Sequence, residues 1–282
     1  TGKSWLCIAL LFLISWGIKA QVSTEFIQQN AIEITPVDHH TDDSLYEKIK
    51  NYKLIMVGER HGTREPAEFV ELLAKLIVKN GGQVALGLEI PKHEMEHYID
   101  KGTEKSLRNS AFFAKQNVDG RNAEAWFDLI LNCSGDTNIK VFYLDNLKGR
   151  IMKLRNSAMY ITLLEMKRNH PNHTLITLSG NVHNRISPFS GIETMGSLCM
   201  KDTTNFGENE IISAVHLFGG GTALNSRGEG LQLETIPFKE NVFSQSNEFE
   251  EYLLLNVEDY IRAYNAIFYS RHITASESLE KK

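Results

Sequence analysis

The chain of 282 residues contains few cysteines, and this scarcity excludes two classes of protein. Its three cysteines are Cys7, Cys133 and Cys199, and no pair has the short spacing of a zinc-binding motif. The sequence therefore indicates neither a disulfide-stapled small domain nor a cysteine zinc module. Cys7 falls in a segment that we predict to be removed, so Cys133 and Cys199 remain, either as one disulfide or as two buried thiols.

The chain also lacks an excess of positive charge and a long apolar run. The longest apolar stretch, Trp5 to Trp16, is too short for a convincing membrane span. Lys3 precedes it and Ala20 follows it, so residues 1–20 are predicted to be a signal peptide, with an uncleaved anchor as the alternative. The protein is then secreted or periplasmic and keeps no stable membrane span.

The net charge points away from two kinds of partner. The formal charge is -5, and loss of the two lysines in residues 1–20 makes it -7. A negative chain is a poor partner for nucleic acid or for anionic lipid.

Motifs of covalent and nucleotide-dependent catalysis are missing as well. No Gly-x-Ser-x-Gly elbow occurs, and neither Cys133 nor Cys199 lies in a recognisable catalytic context. The run Gly219-Gly220-Gly221 is not followed by the Lys and Ser or Thr of a phosphate-binding loop. A serine or cysteine nucleophile therefore has little support.

Predicted strands and helices alternate along the chain. Strands are predicted at 54–57, 84–90, 139–144, 174–178 and 211–218, and helices at about 63–79, 91–99, 123–131, 150–169 and 248–257. We expect an α/β fold with a mainly parallel central sheet flanked by helices. Residues 21–282 are expected to form one domain with its cleft at the carboxyl ends of the strands.

Two of these strands end in the same pattern, Gly-x-x-His. Leu54 to Val57 precedes Gly58-Glu59-Arg60-His61, and Leu175 to Leu178 leads into Gly180-Asn181-Val182-His183. Carboxyl ends of parallel strands meet at one edge of a sheet, so both imidazoles are expected in one cleft. Other polar side chains follow the same strand ends: Glu59, Arg60, Arg64, Glu89, Asp145 and Asn181.

This set of side chains limits the chemistry of the cleft. Two imidazoles and two carboxylates either hold a divalent metal that activates water or act without metal as general base and acid. Arg60, Arg64 or Arg155 would supply a fixed positive charge, and Arg121 in the loop Asp119-Gly120-Arg121 would reach the cleft mouth. Both routes lead to hydrolysis.

Four ordered motifs resemble a known superfamily. They are Gly58-Glu59-Arg60-His61, then Leu88-Glu89, then Arg155-Asn156 with Met159, and finally Gly180-Asn181-Val182-His183. In this order they resemble the superfamily of ChaN-type haem-binding proteins, erythromycin esterases, TraB/PrgY proteins and TIKI proteases. The resemblance extends from about Lys53 to about Ile186.

The resemblance implies a single cleft and assigns roles within it. The predicted function is hydrolysis of an ester or amide bond in a small-molecule or peptide substrate. The predicted catalytic residues are Glu59, His61, Glu89 and His183, with His61 as the base. The predicted substrate-binding residues are Arg60, Arg64, Arg121, Asp145, Arg155, Asn156 and Asn181. His61, Glu89 and His183 are the predicted ligands of a divalent Mn, Co or Zn ion, if a metal takes part.

Two alternative functions remain open on the sequence. The ChaN branch implies haem binding, for which Tyr98, Tyr143, Tyr160 and His216 are candidate ligands. Separately, His93-Glu94-Met95-Glu96-His97 matches His-Glu-x-x-His, the motif of zinc metalloproteases when it lies on a helix. No third zinc ligand follows in the expected pattern, and a solvent-facing helix also explains the segment.

Overall fold

A nine-stranded mixed sheet forms the centre of the molecule in the computed structural model. The structure describes residues 22–34, 43–96, 98, 103–115, 119–146, 151–226, 231–257 and 259–279. The predicted signal peptide lies outside these residues. No helix in the described ranges has the length and hydropathy needed to cross a membrane.

The described strands are nine. They are β1 Ile32–Glu33, β2 Leu54–Glu59, β3 Val84–Pro91, β4 Ile139–Asp145, β5 Thr174–Gly180, β6 Ile211–Ser226, β7 Leu231–Ile236, β8 Glu251–Leu255 and β9 Ala266–Ile273. Their order in the sheet is β1-β8-β9-β6-β2-β5-β3-β4, and β7 pairs with β6. The pairs from β9 through to β4 are parallel, whereas β1, β7 and β8 pair antiparallel. The predicted mainly parallel α/β sheet is confirmed.

Helices cover both faces of the parallel strands. They are α1 Thr24–Asn30, α2 Asp43–Ile49, α3 Glu65–Lys79, α4 Glu104–Arg108, α5 Glu124–Ser134, α6 Met152–Asn169, α7 Asn181–Asn184, α8 Met195–Lys201 and α9 Val242–Gln245. Short 3-10 turns occupy Lys92–Glu94 and Glu208–Glu210.

Burial of both faces explains why the central strands are apolar without alternation. Every residue of β2 is buried. Val57 packs in a cluster with Leu72 of α3 and Trp126 of α5, whereas Met56 packs on the opposite face with Leu163 of α6. Cys133 and Cys199 are free, buried thiols in these two separate clusters, so they do not form a disulfide.

Three local predictions were wrong. Residues 251–255 form the antiparallel strand β8 instead of a helix, because their apolar side chains pack against β9. The Gly219-Gly220-Gly221 run lies inside β6 instead of ending it. A Cβ at Gly219 would lie 2.4 Å from the Phe238 ring, so these glycines permit close packing. Helix α3 begins at Glu65, two residues later than predicted.

Three apolar side chains in and directly before α6 face solvent. Ile151, Leu154 and Ile161 are 65%, 53% and 55% exposed. The helix instead buries a face with two polar members, Asn156, Met159, Thr162, Leu163 and Met166. Asn156 faces the sheet because it belongs to the polar cluster described below.

Candidate active site

The carboxyl ends of β2, β3 and β5 bring the polar cluster together. Glu59 is the last residue of β2 and pairs in register with Gly180 of β5, and Glu89 lies in β3, the other neighbour of β5. His61 follows β2 after one residue, and His183 lies in α7 directly after β5. The parallel register therefore places both Gly-x-x-His motifs at one edge of the sheet.

Glu59 orients the ring of His61. Oε1 of the buried Glu59 carboxylate lies 2.5 Å from Nδ1 of His61, and Oε2 accepts a hydrogen bond of 3.0 Å from Nε1 of Trp126. The carboxylate has only acceptor atoms, so the ring carries its proton on Nδ1. The Nε2 atom of His61 is thereby left as the proton acceptor, on a side chain that is 28% exposed.

Nearby carboxylates set the proton affinity of His61. Burial lowers the pKa of His61, and Arg121 lowers it further, but the carboxylates of Asp119 and Glu59 outweigh both and raise the pKa above 6.5. Nε2 of His61 lies 3.9 Å from Oδ2 of Asp119. The imidazole is therefore a stronger base than a free histidine.

Glu89 is the buried centre of a network of ion pairs. Its Oε1 lies 3.0 Å from Nη1 of Arg121, 2.7 Å from Nη2 of Arg155 and 3.5 Å from Nε2 of His183. Its Oε2 accepts the backbone N–H of Gly180 at 2.7 Å. Burial raises the pKa of Glu89, but the cations around it outweigh burial and hold the pKa far below its usual range. Glu89 is ionised in the folded protein.

Each arginine of this network also binds a second acid. Arg121 forms a bidentate pair with Asp119, with two contacts of 2.8 Å, and Nε of Arg155 lies 2.7 Å from Oδ2 of Asp145. The guanidinium groups are thus held by carboxylates of the protein itself.

Asn156 orients His183. The Nδ2 group of Asn156 donates to the carbonyl oxygen of Glu193, so its Oδ1 faces Nδ1 of His183 at 2.5 Å. An amide oxygen only accepts, so the His183 proton lies on Nδ1 and Nε2 is an acceptor. Burial lowers the pKa of His183 and outweighs the opposite effect of Glu89, which favours a neutral ring.

Solved structures with the same fold give this arrangement a context. A protein described as a succinoglycan biosynthesis protein matches with 12% identity and a TM-score of 0.71, over 91% of this chain and 98% of that one. An erythromycin esterase, EreC, in its open conformation matches with 12% identity and a TM-score of 0.57, over 86% and 96% of the two chains. The chain has the erythromycin esterase-like fold. The predicted resemblance is confirmed at the level of fold.

The remaining comparisons do not indicate a function for this chain. ChaN of Campylobacter jejuni, solved with bound haem, matches with 10% identity and a TM-score of 0.39, over 81% of this chain and 91% of that one, which is too distant to indicate a shared ligand. No family model and no curated protein matches the sequence.

Three predicted substrate-binding side chains of this esterase-like fold are engaged elsewhere. Arg60 pairs with Glu234 of β7 at 2.9 Å, and Arg64 pairs with Glu68 on the exposed start of α3. The amide of Asn181 bonds the backbone N–H and carbonyl of His216 in β6. These contacts connect Arg60, Arg64 and Asn181 to β7, α3 and β6. The other four predicted side chains contact the central cluster: Arg121, Asp145, Arg155 and Asn156.

The glycines of the two motifs make room for these side chains. A Cβ at Gly58 would lie 2.1 Å from Oδ1 of Asn181, and one at Gly180 would lie 3.2 Å from Cε1 of His61. These glycines therefore accommodate the side chains of Asn181 and His61.

The donor set does not fit a divalent metal. Among the described residues, no three His, Cys, Asp or Glu side chains are grouped to hold an ion. Glu89, a predicted ligand with His61 and His183, has both oxygens engaged, one by Arg121 and Arg155. Two guanidinium groups would also repel a cation at that carboxylate.

The candidate haem ligands are buried or hydrogen-bonded to other side chains. Tyr98, Tyr143 and His216 are buried, and His216 stacks on Phe268 with its Nε2 3.1 Å from Ser270. The Tyr160 hydroxyl donates to Asp202 at 2.7 Å. Haem binding stays a prediction without support from these four side chains.

The His93 to His97 segment also gains no support. Lys92–Glu94 forms a 3-10 turn where we predicted an α-helix, and Glu94 pairs with Lys115. His97 lies outside the described residues, so the zinc-protease reading stays a prediction.

Sequence reasoning missed two members of the site. Trp126 holds the second oxygen of Glu59 from 67 residues away, and only its place at the start of α5 offered a signal. Asp119 was noted as part of a loop, but its position beside His61 was not foreseen.

Proposed function

We propose that the protein is a metal-independent hydrolase of ester or amide bonds, with His61 as its general base. The observation that carries this proposal is the 2.5 Å contact between Glu59 Oε1 and His61 Nδ1, which leaves Nε2 of a partly exposed imidazole as the proton acceptor. The same logic of an acid that orients a histidine operates in other hydrolases. The fold shared with an erythromycin esterase supports the reaction class.

The proposed reaction uses one water molecule. Nε2 of His61 takes a proton from water while the water oxygen bonds to the carbonyl carbon, and the carbonyl electrons move to oxygen. The carbonyl forms again as the bond to the alcohol or amine breaks. The imidazolium then returns its proton to this leaving group, so an acid and an alcohol or amine are released.

His183 and the Glu89 network have supporting roles in this proposal. The acceptor Nε2 of His183 holds the attacking water by a hydrogen bond, and its neutral ring has no proton on that atom to donate. The ion pairs of Glu89 with Arg121 and Arg155, and of Arg155 with Asp145, hold the carboxyl ends of β3 and β4 against the start of α6. Preorganisation of this kind lowers the cost of reaching the transition state.

The test is turnover of a panel of nitrophenyl esters and peptide amides by the full chain and by His61→Ala. Loss of a general base is expected to lower kcat by about a hundredfold or more. The control is His170→Ala, because His170 precedes β5 and lies at the opposite end of that strand. Unchanged turnover in His61→Ala, or no cleavage of any substrate by the unsubstituted chain, would overturn the proposal.

A further inference from the structure

The segment Thr274–Glu277, which follows β9, bonds to several loops around the candidate site. Arg64 N donates to the Thr274 carbonyl at 3.0 Å, and Thr274 N donates to Glu65 Oε1 at 2.6 Å. Ala275 N donates to Thr222 of β6, and Glu124 N at the start of α5 donates to the Glu277 carbonyl. The segment therefore joins β6, the start of α3 and the start of α5.

Ser276 forms hydrogen bonds with the residues that adjoin His61 and Trp126 in the chain. It is 1% exposed. Its N–H donates to the carbonyl of Gly62 at 2.9 Å, and its Oγ accepts the N–H of Ala125 at 2.9 Å. Gly62 follows His61 in the chain, and Ala125 precedes Trp126.

These bonds close a ring through the candidate site. From Ser276 the ring passes to Gly62 and His61, then to Glu59 through the imidazole. It returns from Glu59 through the indole to Trp126, Ala125 and Ser276. A ring of buried hydrogen bonds has one geometry in which all members are satisfied, so each bond restricts the others.

We propose that Ser276 is a positioning residue that couples the loop of His61 to the helix of Trp126 and so fixes the Glu59 carboxylate between imidazole and indole. The expected effect of Ser276 on turnover rests on the function proposed above. The structural link between the His61 loop and α5 does not. Ser276 bonds to Gly62 and Ala125, and its link to His61 and Glu59 passes through these two residues.

The loop of Gly62 has a second anchor, whereas the start of α5 depends on Ser276. Gly62 has a φ of +83° and packs directly on Leu224, whose N–H donates to the Gly62 carbonyl at 2.9 Å. The loop is thus held by β6 as well. The Ala125 N–H lies in the first turn of α5, where no intrahelical acceptor exists, and it donates to the Ser276 hydroxyl instead.

The test is Ser276→Ala in the full chain, read by kinetics and by NMR. We expect kcat to fall about tenfold while KM changes less than about twofold, because a displaced base affects the transition state more than binding. We also expect the Trp126 indole N–H resonance to move upfield as its bond to Glu59 weakens. Trp126→Phe assigns this resonance among the three tryptophans of the chain.

The matched control is Ser278→Ala, since Ser278 is exposed two residues further along. In a double-mutant cycle, Ser276→Ala and Trp126→Phe are expected to be non-additive in kcat, because both loosen the same carboxylate. If Ser276→Ala does not fold, Ser276→Cys, which keeps a weak acceptor of similar size, replaces it.

Two results would overturn the proposal. One is a folded Ser276 variant with an unmoved indole resonance and wild-type kcat, even if its Tm is lower. The other is full additivity with Trp126→Phe. If the unsubstituted chain cleaves no substrate, the hydrolase proposal fails, whereas a displaced indole resonance still supports Ser276 as the link.

Discussion

Nδ1 of His61 lies 2.5 Å from Oε1 of Glu59, just beyond the end of β2, the strand that carries Glu59. The two residues are separated by Arg60 alone, whose side chain turns away to Glu234. Glu59 is also held from its other side by the Trp126 indole, so its carboxylate has a second anchor besides His61. The acid therefore orients the imidazole, as a base that must accept a proton at Nε2 requires.

Substitution of Glu59 by Gln is expected to change both the rate and the pH dependence of turnover. The proposed base works only when neutral, so kcat/KM falls as the pH drops through the pKa of His61. Glu59 is one of the carboxylates that raise this pKa against burial. Glu59→Gln should therefore move the acid limb of the pH profile to lower pH and reduce the plateau by about a hundredfold.

The comparison for this profile is Glu47→Gln. Glu47 is an exposed partner of Lys50 on α2 and should leave both limb and plateau unchanged. An acid limb that stays in place in Glu59→Gln would show that His61 is not the group that titrates.

Substitution of Glu89 by Gln is expected to destabilise the fold strongly. The buried Glu89 carboxylate pairs with Arg121 and Arg155, and its loss leaves their charges undercompensated. Removal of one partner of a buried pair costs about 3–5 kcal/mol of unfolding free energy. Urea denaturation at neutral pH measures this loss.

Two further variants show whether the loss comes from the network. Glu68→Gln, in the exposed pair with Arg64, should cost less than about 1 kcal/mol. Addition of Arg155→Met to Glu89→Gln should cost less than the sum of the two single substitutions, because both remove the same ion pair. Equal losses for Glu89→Gln and Glu68→Gln would contradict a buried network.

The edge where the site forms could be predicted from the sequence because parallel strands obey a simple rule. β2 and β5 are short apolar runs, and their pairing of Glu59 with Gly180 places His61 and His183 together. The Glu89 and Arg155 positions followed from the same rule and from the family resemblance. Local pattern was sufficient for β2, β3, β4 and β5, whose bounds lie within two residues of the predicted runs.

Other features depend on partners that are distant in the chain. Asn156 faces inward because it binds His183, so α6 buries a polar side chain among apolar ones. Arg60 leaves the cleft because β7, a strand that we did not predict, supplies Glu234. Residues 251–255 have helix-like composition, yet pairing with β9 decides their conformation.

Removal of metal is expected to leave turnover unchanged. Arg121 and Arg155 already neutralise Glu89, the one carboxylate between the two histidines of the predicted metal set. Dialysis against a chelator should therefore preserve kcat, and added Mn²⁺, Co²⁺ or Zn²⁺ should not raise it. Elemental analysis of the same sample provides the control. Stoichiometric metal together with loss of activity on chelation would contradict the metal-independent mechanism.

A pair of acids outside the site is expected to make the fold less stable at high pH. Burial, together with the smaller effect of nearby Glu65, raises the pKa of Glu251 to about 8. Burial likewise raises the pKa of Glu65 to about 7. A carboxyl whose folded pKa exceeds its unfolded value of 4.5 contributes stability that is complete below that value and is lost as the pH rises through the folded pKa.

Glu251→Gln tests this sign, because glutamine stays neutral at every pH and still accepts the Ser270 hydroxyl that bonds Oε1 at 3.3 Å. Its Tm should match that of the unsubstituted chain below about pH 4.5, exceed it increasingly from there to about pH 8, and keep that excess at higher pH. Scanning calorimetry across this range measures the difference, with the exposed Glu248→Gln as the flat reference. A constant difference at all pH values would mean that packing, and not ionisation of Glu251, sets its effect on stability.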